Sequence, residues 1–169
     1  MTDEEIHAAS TRSKGKLSRL FRLPVYLYHW RCAWLLGHRF LLLIQIGRRT
    51  GLRRETVLEI IEYRKEGPEA VVMSAFGRNA DWLRNIEATP GPEVVIGSHR
   101  FAAVHRFLEE EEAVSAITGY EARNWLIGLI IRRVLSRLLG WKYRGSANDR
   151  RRLVKQLPLI AFRPTDWSP

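Results

Sequence analysis

The chain has 169 residues, 46% of them hydrophobic, enough for one domain with a sizeable core. Its 28 Lys and Arg outnumber 18 Asp and Glu for a net charge of +10, which suits an anionic ligand, an anionic lipid surface or nucleic acid. A single cysteine (Cys32) excludes an intramolecular disulfide, and the polar first 16 residues and the lack of 18 uncharged apolar residues in a row argue against a signal peptide and a membrane span.

In chain order, residues 1–16 read as a frayed or loosely helical tail. Residues 17–37 are apolar and aromatic with interspersed Arg19, Arg22, His29 and Arg31, and Pro24 starts or kinks a helix there. Such a segment packs on the domain or on a second subunit, or lies in a membrane interface. Cys32 within it reads as inert core. Residues 39–46 and 54–63 read as strands joined by a tight basic turn. Arg48, Arg49, Arg53 and Arg54 flank Thr50 and Gly51 in that turn. Guanidinium groups grip phosphate through paired hydrogen bonds, so the turn is a candidate anion site, with a solvated hairpin as the plainer reading.

Residues 64–69 are a Gly-Pro turn, and 70–75 a buried strand broken at Phe76–Gly77. Residues 79–88 predict a short helix with Asn79 as N-cap and Asp81 in its first turn, ended by Thr89–Pro92. Strands over 93–97 and 100–107 form a hairpin around Ser98–His99. Glu109 to Glu112 open a helix running to Asn124 as a solvated acidic first turn. A second apolar helix spans 125–139, a loop 140–146, a short basic helix 147–156 and a last strand 157–163. Short links between strands predict an α+β fold. Its sheet is mostly antiparallel and curls into a small barrel with helices outside. Residues 1–37 form a separate tail and amphipathic helix, and 38–169 the barrel domain.

Charge is unevenly spread. Residues 1–54 hold 11 cations against 3 acids, 55–112 hold 6 against 12, and 113–169 hold 11 against 3. Two basic segments bracket an acidic middle, which implies a basic face built from both ends of the chain.

Familiar catalytic signatures are absent. There is no Walker loop, GxGxxG, CxxC or HExxH. The five histidines have no metal-ligand spacing, so no metal is expected. A chain without its own nucleophile or metal commonly borrows chemistry from a cofactor. A basic turn for phosphate, followed by a strand end of small residues at Ser74–Gly77 for a flat ring, fits that pattern. The pI near 10.5 suggests nucleic acid, but no binding motif is present and no specific nucleic-acid partner is expected.

Four blocks carry a resemblance: GRRTG at 47–51, VVMSAFG at 71–77, NADWLRNIEATPG at 79–91 and VVIGSHRFAA at 94–103. In that order and spacing they resemble the deazaflavin-dependent nitroreductase family, split-barrel oxidoreductases that use coenzyme F-420. The late LPLIAFRP resembles the family's closing strand. The resemblance covers about residues 38–124. It implies a flavin-reductase-like split β-barrel and hydride transfer from reduced F-420 to a quinone, an activated alkene or a nitro compound. It also implies that Arg48, Arg49, Thr50 and Arg54 hold the coenzyme's phosphate and oligoglutamate tail. Thr56, Val57 and Leu58 would line the ring pocket. Ser74, Ala75, Phe76 and Gly77 would contact the ring or ribityl chain, and Asp81, Trp82 and Asn85 would cap the site. Tyr120 is the candidate proton donor, with packing as its plainer role.

The chain departs from the family pattern in Arg49, where lysine is frequent, and in Glu59, where an apolar or aromatic residue is frequent. FMN as cofactor and a non-catalytic F-420-binding protein are the alternative readings. The expected partners are a small-molecule substrate, a second copy of the chain, and peripheral membrane contact through residues 17–40. The expected location is cytoplasmic, at most peripheral on the inner face of the membrane.

Overall fold

The computed structural model describes residues 39–166. The expected tail, the helix over 17–37 and Cys32 lie outside the described residues. Six strands carry the fold: β1 (Phe40–Ile46), β2 (Arg53–Arg64), β3 (Glu69–Met73), β4 (Glu93–Ile96), β5 (His99–Phe107) and β6 (Leu159–Pro164). Among the described residues four α-helices accompany them: α1 (Asp81–Ala88), α2 (Glu110–Arg123), α3 (Gly128–Leu139) and α4 (Ala147–Gln156).

The strands close into an antiparallel barrel in the order β1-β2-β3-β6-β5-β4, with β4 returning to β1. The α+β class and the antiparallel barrel with outer helices agree with the sequence reading. Alternation along the strands builds two cores. Leu41, Leu43, Ile60, Ala70, Val72, Val94, Ile96 and Phe162 fill the inside. Val71, Leu159 and Ala161 face outward and pack under α2, α3 and α4 through Ile117, Leu135, Leu139 and Leu153.

β2 changes face partway along. Its register against β3 shifts between Ile60 and Glu62. The extra residue, Ile61, joins the outer core, while Leu58, Ile60 and Tyr63 all pack on the inner one. A bulge of this kind lets one long strand serve both cores.

Antiparallel pairing sets what lies at each end of the barrel. The end of β1, the start of β2, the end of β3 and the start of β4 meet at one end. α1 plugs that end, burying Trp82, Leu83 and Ile86 into the inner core. At the other end, where β2 finishes and β3 begins, acids and arginines form a cluster. Glu69 is 8% exposed and accepts from Arg106 Nε and Nη2 at 2.9 and 2.8 Å, and from Arg64 Nη1 at 3.0 Å.

Several boundaries differ from expectation. The N-cap of α1 is Ala80, not Asn79, which ends a preceding 3₁₀ turn; no side chain caps the helix. The β4–β5 turn is Gly97–Ser98, and His99 already belongs to β5. Residues 125–139 are a 3₁₀ turn (Trp125–Ile127) followed by α3. The acidic run before α2 is not uniformly solvated, because Glu112 accepts from Arg64 at 2.5 Å and from Arg106 at 2.7 and 2.8 Å. Those arginines come from β2 and β5, so only tertiary structure brings them to the helix.

Candidate active site

The plugged end of the barrel holds an open cavity of about 430 Å³. The basic turn between β1 and β2 forms one wall. Gly47 O accepts from Thr50 N at 3.1 Å and Gly51 N at 2.8 Å, and Gly47 N donates to Leu52 O at 2.8 Å. Gly51 has φ +65°, a conformation costly for a residue with a Cβ. Thr50 Oγ1 accepts from Leu52 N at 3.4 Å, so its hydroxyl helps to close the turn.

The four arginines of this segment divide into two kinds. Arg48 straps the turn to α1. Its backbone N–H donates to Asn85 Oδ1 at 3.2 Å and its Nη1 to the same oxygen at 2.9 Å. Nη1 also donates to Asp81 O at 3.3 Å, and Nη2 to Asp81 Oδ1 at 2.9 Å. Arg53 pairs with Glu55 at 3.1 Å. Arg49 and Arg54 line the cavity and have no carboxylate partner among the described residues. Guanidinium charge left over beside a cavity is available to an anion.

β1 and β2 supply the floor. Inward-facing positions on β1 run Leu41, Leu43, Gln45, the last being 5% exposed. Gln45 Nε2 donates to Thr56 Oγ1 at 3.0 Å, while Gln45 Oε1 is buried with no partner among the described residues. Thr56 and Arg54 share the inward face of β2 with Leu58. α1 closes the third side through Asp81, Trp82 and Asn85. Trp82 is 8% exposed, and its ring centroid lies 6.3 Å from that of Phe162, so the same side chain anchors the helix and borders the cavity.

Of the residues singled out in the sequence, Arg48, Arg49, Thr50, Arg54, Thr56, Asp81, Trp82 and Asn85 meet at this cavity. Val57 and Leu58 continue β2 beyond its lining, and Leu58 packs against the inner core. Ser74, Ala75, Phe76 and Gly77 follow β3 at the same end of the barrel but do not line the cavity. Ser74 is fully buried, its Oγ donates to Gly77 O at 2.6 Å, and its N–H donates to Pro158 O at 3.0 Å. A Cβ on Gly77 (φ +62°) would meet Gln156 O at 3.0 Å, so the segment is pinned against the end of α4. Phe76 is 58% exposed.

Tyr120, on α2, donates to Glu59 Oε1 at 2.9 Å, and Arg39 reaches the same oxygen at 3.4 Å. Neither Tyr120 nor Glu59 lines the cavity. Burial, then the Glu59 carboxylate, push the Tyr120 hydroxyl well above its ordinary value, so it stays protonated throughout the neutral range. Sequence reasoning missed Gln45 and Glu55. The available signal for Gln45 was a polar residue in phase with Leu41 and Leu43 on an otherwise apolar strand.

The family model of the F-420H(2)-dependent quinone reductases matches residues 32–123. Among solved structures, an F-420-H2-dependent reductase (FDR-A) is 16% identical with a TM-score of 0.42, covering 76% of this chain and 96% of its own. A pyridoxamine 5'-phosphate oxidase-related, FMN-binding protein of Nostoc punctiforme is 15% identical with a TM-score of 0.48, covering 83% and 77%. No curated protein matches the chain.

Proposed function

The chain belongs to the F-420H(2)-dependent quinone reductase family, and from that premise we propose that the cavity at the plugged end of the barrel is where its coenzyme is held. The protein is an oxidoreductase of the split-barrel type that uses reduced F-420 to reduce a small molecule. When bound, the reduced deazaflavin supplies the hydride. A quinone is the family's substrate class; activated alkenes and nitro compounds are electron-poor acceptors of the same kind.

One observation carries the placement: Arg49 and Arg54 have no carboxylate partner among the described residues beside the cavity, while neighbouring Arg48 and Arg53 are paired. The residues fit the group. Two guanidinium groups without a carboxylate partner among the described residues suit a phosphate and an acidic tail, and a buried amide oxygen without a described donor suits a neutral, hydrogen-bonding ring system. In this reading Arg49, Arg54 and the turn at Thr50 bind the phosphate end. Thr56 and Trp82 border the ring, and Arg48, Asp81 and Asn85 hold the turn and α1 at fixed spacing. Val57, Leu58 and Ser74–Gly77 support the pocket from behind or form its rim. The protein's share of the chemistry is orientation of ring and acceptor and exclusion of water. Because the Tyr120 hydroxyl is engaged by Glu59, the proton that completes reduction is assigned to water rather than to this tyrosine.

Peripheral membrane contact through residues 17–40, self-association and a cytoplasmic location belong to the same proposal, with 38–169 as its barrel domain. No described helix is long and apolar enough to cross a membrane. A basic and apolar surface does exist at α3. Ile130 and Val134 are 64% and 50% exposed beside Arg132, Arg133 and Arg137, and no acid occurs between Trp125 and Asn148.

Parallel titration with F-420 and FMN, followed by tryptophan quenching and cofactor fluorescence, tests the central reading. Micromolar or tighter F-420 binding that weakens at least tenfold in Arg49→Ala is expected, the loss of one charge-assisted contact being worth about 1.5–3 kcal/mol. Preference for FMN, or binding indifferent to Arg49, would overturn it.

A further inference from the structure

Resting on the coenzyme reading above, we infer that Gln45 is a recognition residue for the uncharged part of the bound molecule, accepting a hydrogen bond from an N–H or O–H donor on its ring or ribityl chain. Gln45 is 95% buried by its 5% exposure and lines the cavity floor. Its amide has two polar atoms and, among the described residues, one partner. Nε2 is satisfied by Thr56 Oγ1 at 3.0 Å, and Oε1 has none. Turning the amide over would give the oxygen to the threonine hydroxyl and leave the nitrogen alone, so one polar atom of Gln45 is short of a partner in either orientation.

For the empty protein this is an unfavourable residue. The row it completes is Leu41, Leu43, Gln45, and a third apolar side chain would fill the position without an unpaired buried carbonyl. A buried polar group with spare bonding capacity at the edge of a binding cavity is accounted for when the ligand completes it. The cavity also separates two kinds of contact. Arg49 and Arg54 carry charge and read the anionic end; Gln45, which lies opposite Arg54 across β1 and β2, and its partner Thr56 are neutral. The neutral pair therefore reads the neutral half of the ligand, and the amide's direction fixes how that half is turned.

The two roles separate in one experiment. Purified wild type, Gln45→Met and Arg49→Ala are titrated with whole F-420 and with its ring–ribityl fragment, which lacks phosphate and tail. Thermal melting of each ligand-free protein is recorded alongside. Methionine keeps the length of the side chain and removes its polar head. Gln45→Met is expected to weaken both ligands about tenfold, the consequence of leaving a ligand donor unpaired, while the ligand-free protein melts no lower than wild type. Arg49→Ala is expected to weaken whole F-420 only. Thr56→Val, which frees the amide from its anchor, should weaken the fragment and add little to Gln45→Met. If the loss persists with a ring lacking the ribityl chain, the donor is a ring N–H; if it disappears, the donor is a ribityl hydroxyl.

Fragment affinity within twofold of wild type in Gln45→Met would overturn the inference while leaving the coenzyme reading intact. So would a lower melting temperature with parallel loss of all ligands, which is the signature of a structural amide. Failure of wild type to bind F-420 would instead remove the coenzyme reading and this inference with it.

Discussion

Arg48 and Arg49 are adjacent, identical in chemistry and opposite in use. Arg48 has a 17%-exposed side chain that reaches Asn85, the Asp81 backbone and the Asp81 carboxylate across the plugged end of the barrel. Arg49 meets no described carboxylate. Arg48→Ala is therefore expected to cost about 1–3 kcal/mol of stability, because buried Asn85 Oδ1 loses a donor and α1 its strap. Arg49→Ala should stay within about 0.5 kcal/mol of wild type and lose ligand affinity instead. Urea unfolding of both variants checks the contrast, and equal losses would contradict it. This division could not be read from GRRTG alone. Both arginines look equally suited to phosphate in the sequence, and only the position of α1 decides which is consumed. Thr50, Arg54 and Trp82, which the family resemblance implied, line the cavity. Gln45 was hidden by the apolar run around it.

Among the elements, the ion cluster at the far end of the barrel joins strands that the hydrophobic pattern treats separately. Glu112 of α2 takes hydrogen bonds from Arg106 and Arg64, and these, Arg106 first, hold its carboxyl down at about 2 against an ordinary 4.5. A folded-state value below the unfolded one means that the contribution is complete above about pH 5 and is lost as pH falls toward 2. Glu112→Gln should be less stable than wild type at pH 7. Its denaturation midpoint should also fall less steeply between about pH 5 and pH 2. Parallel slopes in a urea series across that range would refute the assignment. All six strands and the four described helices were legible within two residues at each end, apart from the start of α3, which lies three residues later, because period-two and period-3.6 patterns are local. The bulge at Ile61 and the fate of Glu112 were not, since each depends on a strand distant in the chain, and the cap moves to Ala80 because a 3₁₀ turn takes up Gly77–Asn79.

Across the whole molecule, part of the opposing charge is neutralised internally. Acids of α2 pair with cations of α4: Glu121 with Arg150 at 2.7 Å, Glu110 with Lys155 at 3.2 Å and Glu111 with Arg151 at 3.5 Å. Among the described residues, cations without an acidic partner remain at the turn beside the cavity and along the acid-free stretch around α3. A surface of exposed apolar side chains among arginines favours an anionic lipid interface. Flotation of the full chain with acidic liposomes is expected to retain it in the lipid fraction, with release at high salt. Recovery wholly in the soluble fraction would sink the membrane part of the proposal.

The strand order has a kinetic consequence. β6 lies between β3 and β5, pairing Ala161 with Val71 on one side and with Arg106 on the other. Until residue 164 has left the ribosome, the nascent sheet has two raw edges that nothing else in the described chain occupies. Closure then depends on contacts spanning some ninety positions, which makes for slow folding and a long window of vulnerability. Shortened versions that stop before Leu159 should accumulate as aggregates, and production of the protein should respond more to slowed synthesis or chaperone supply than to changes on its surface.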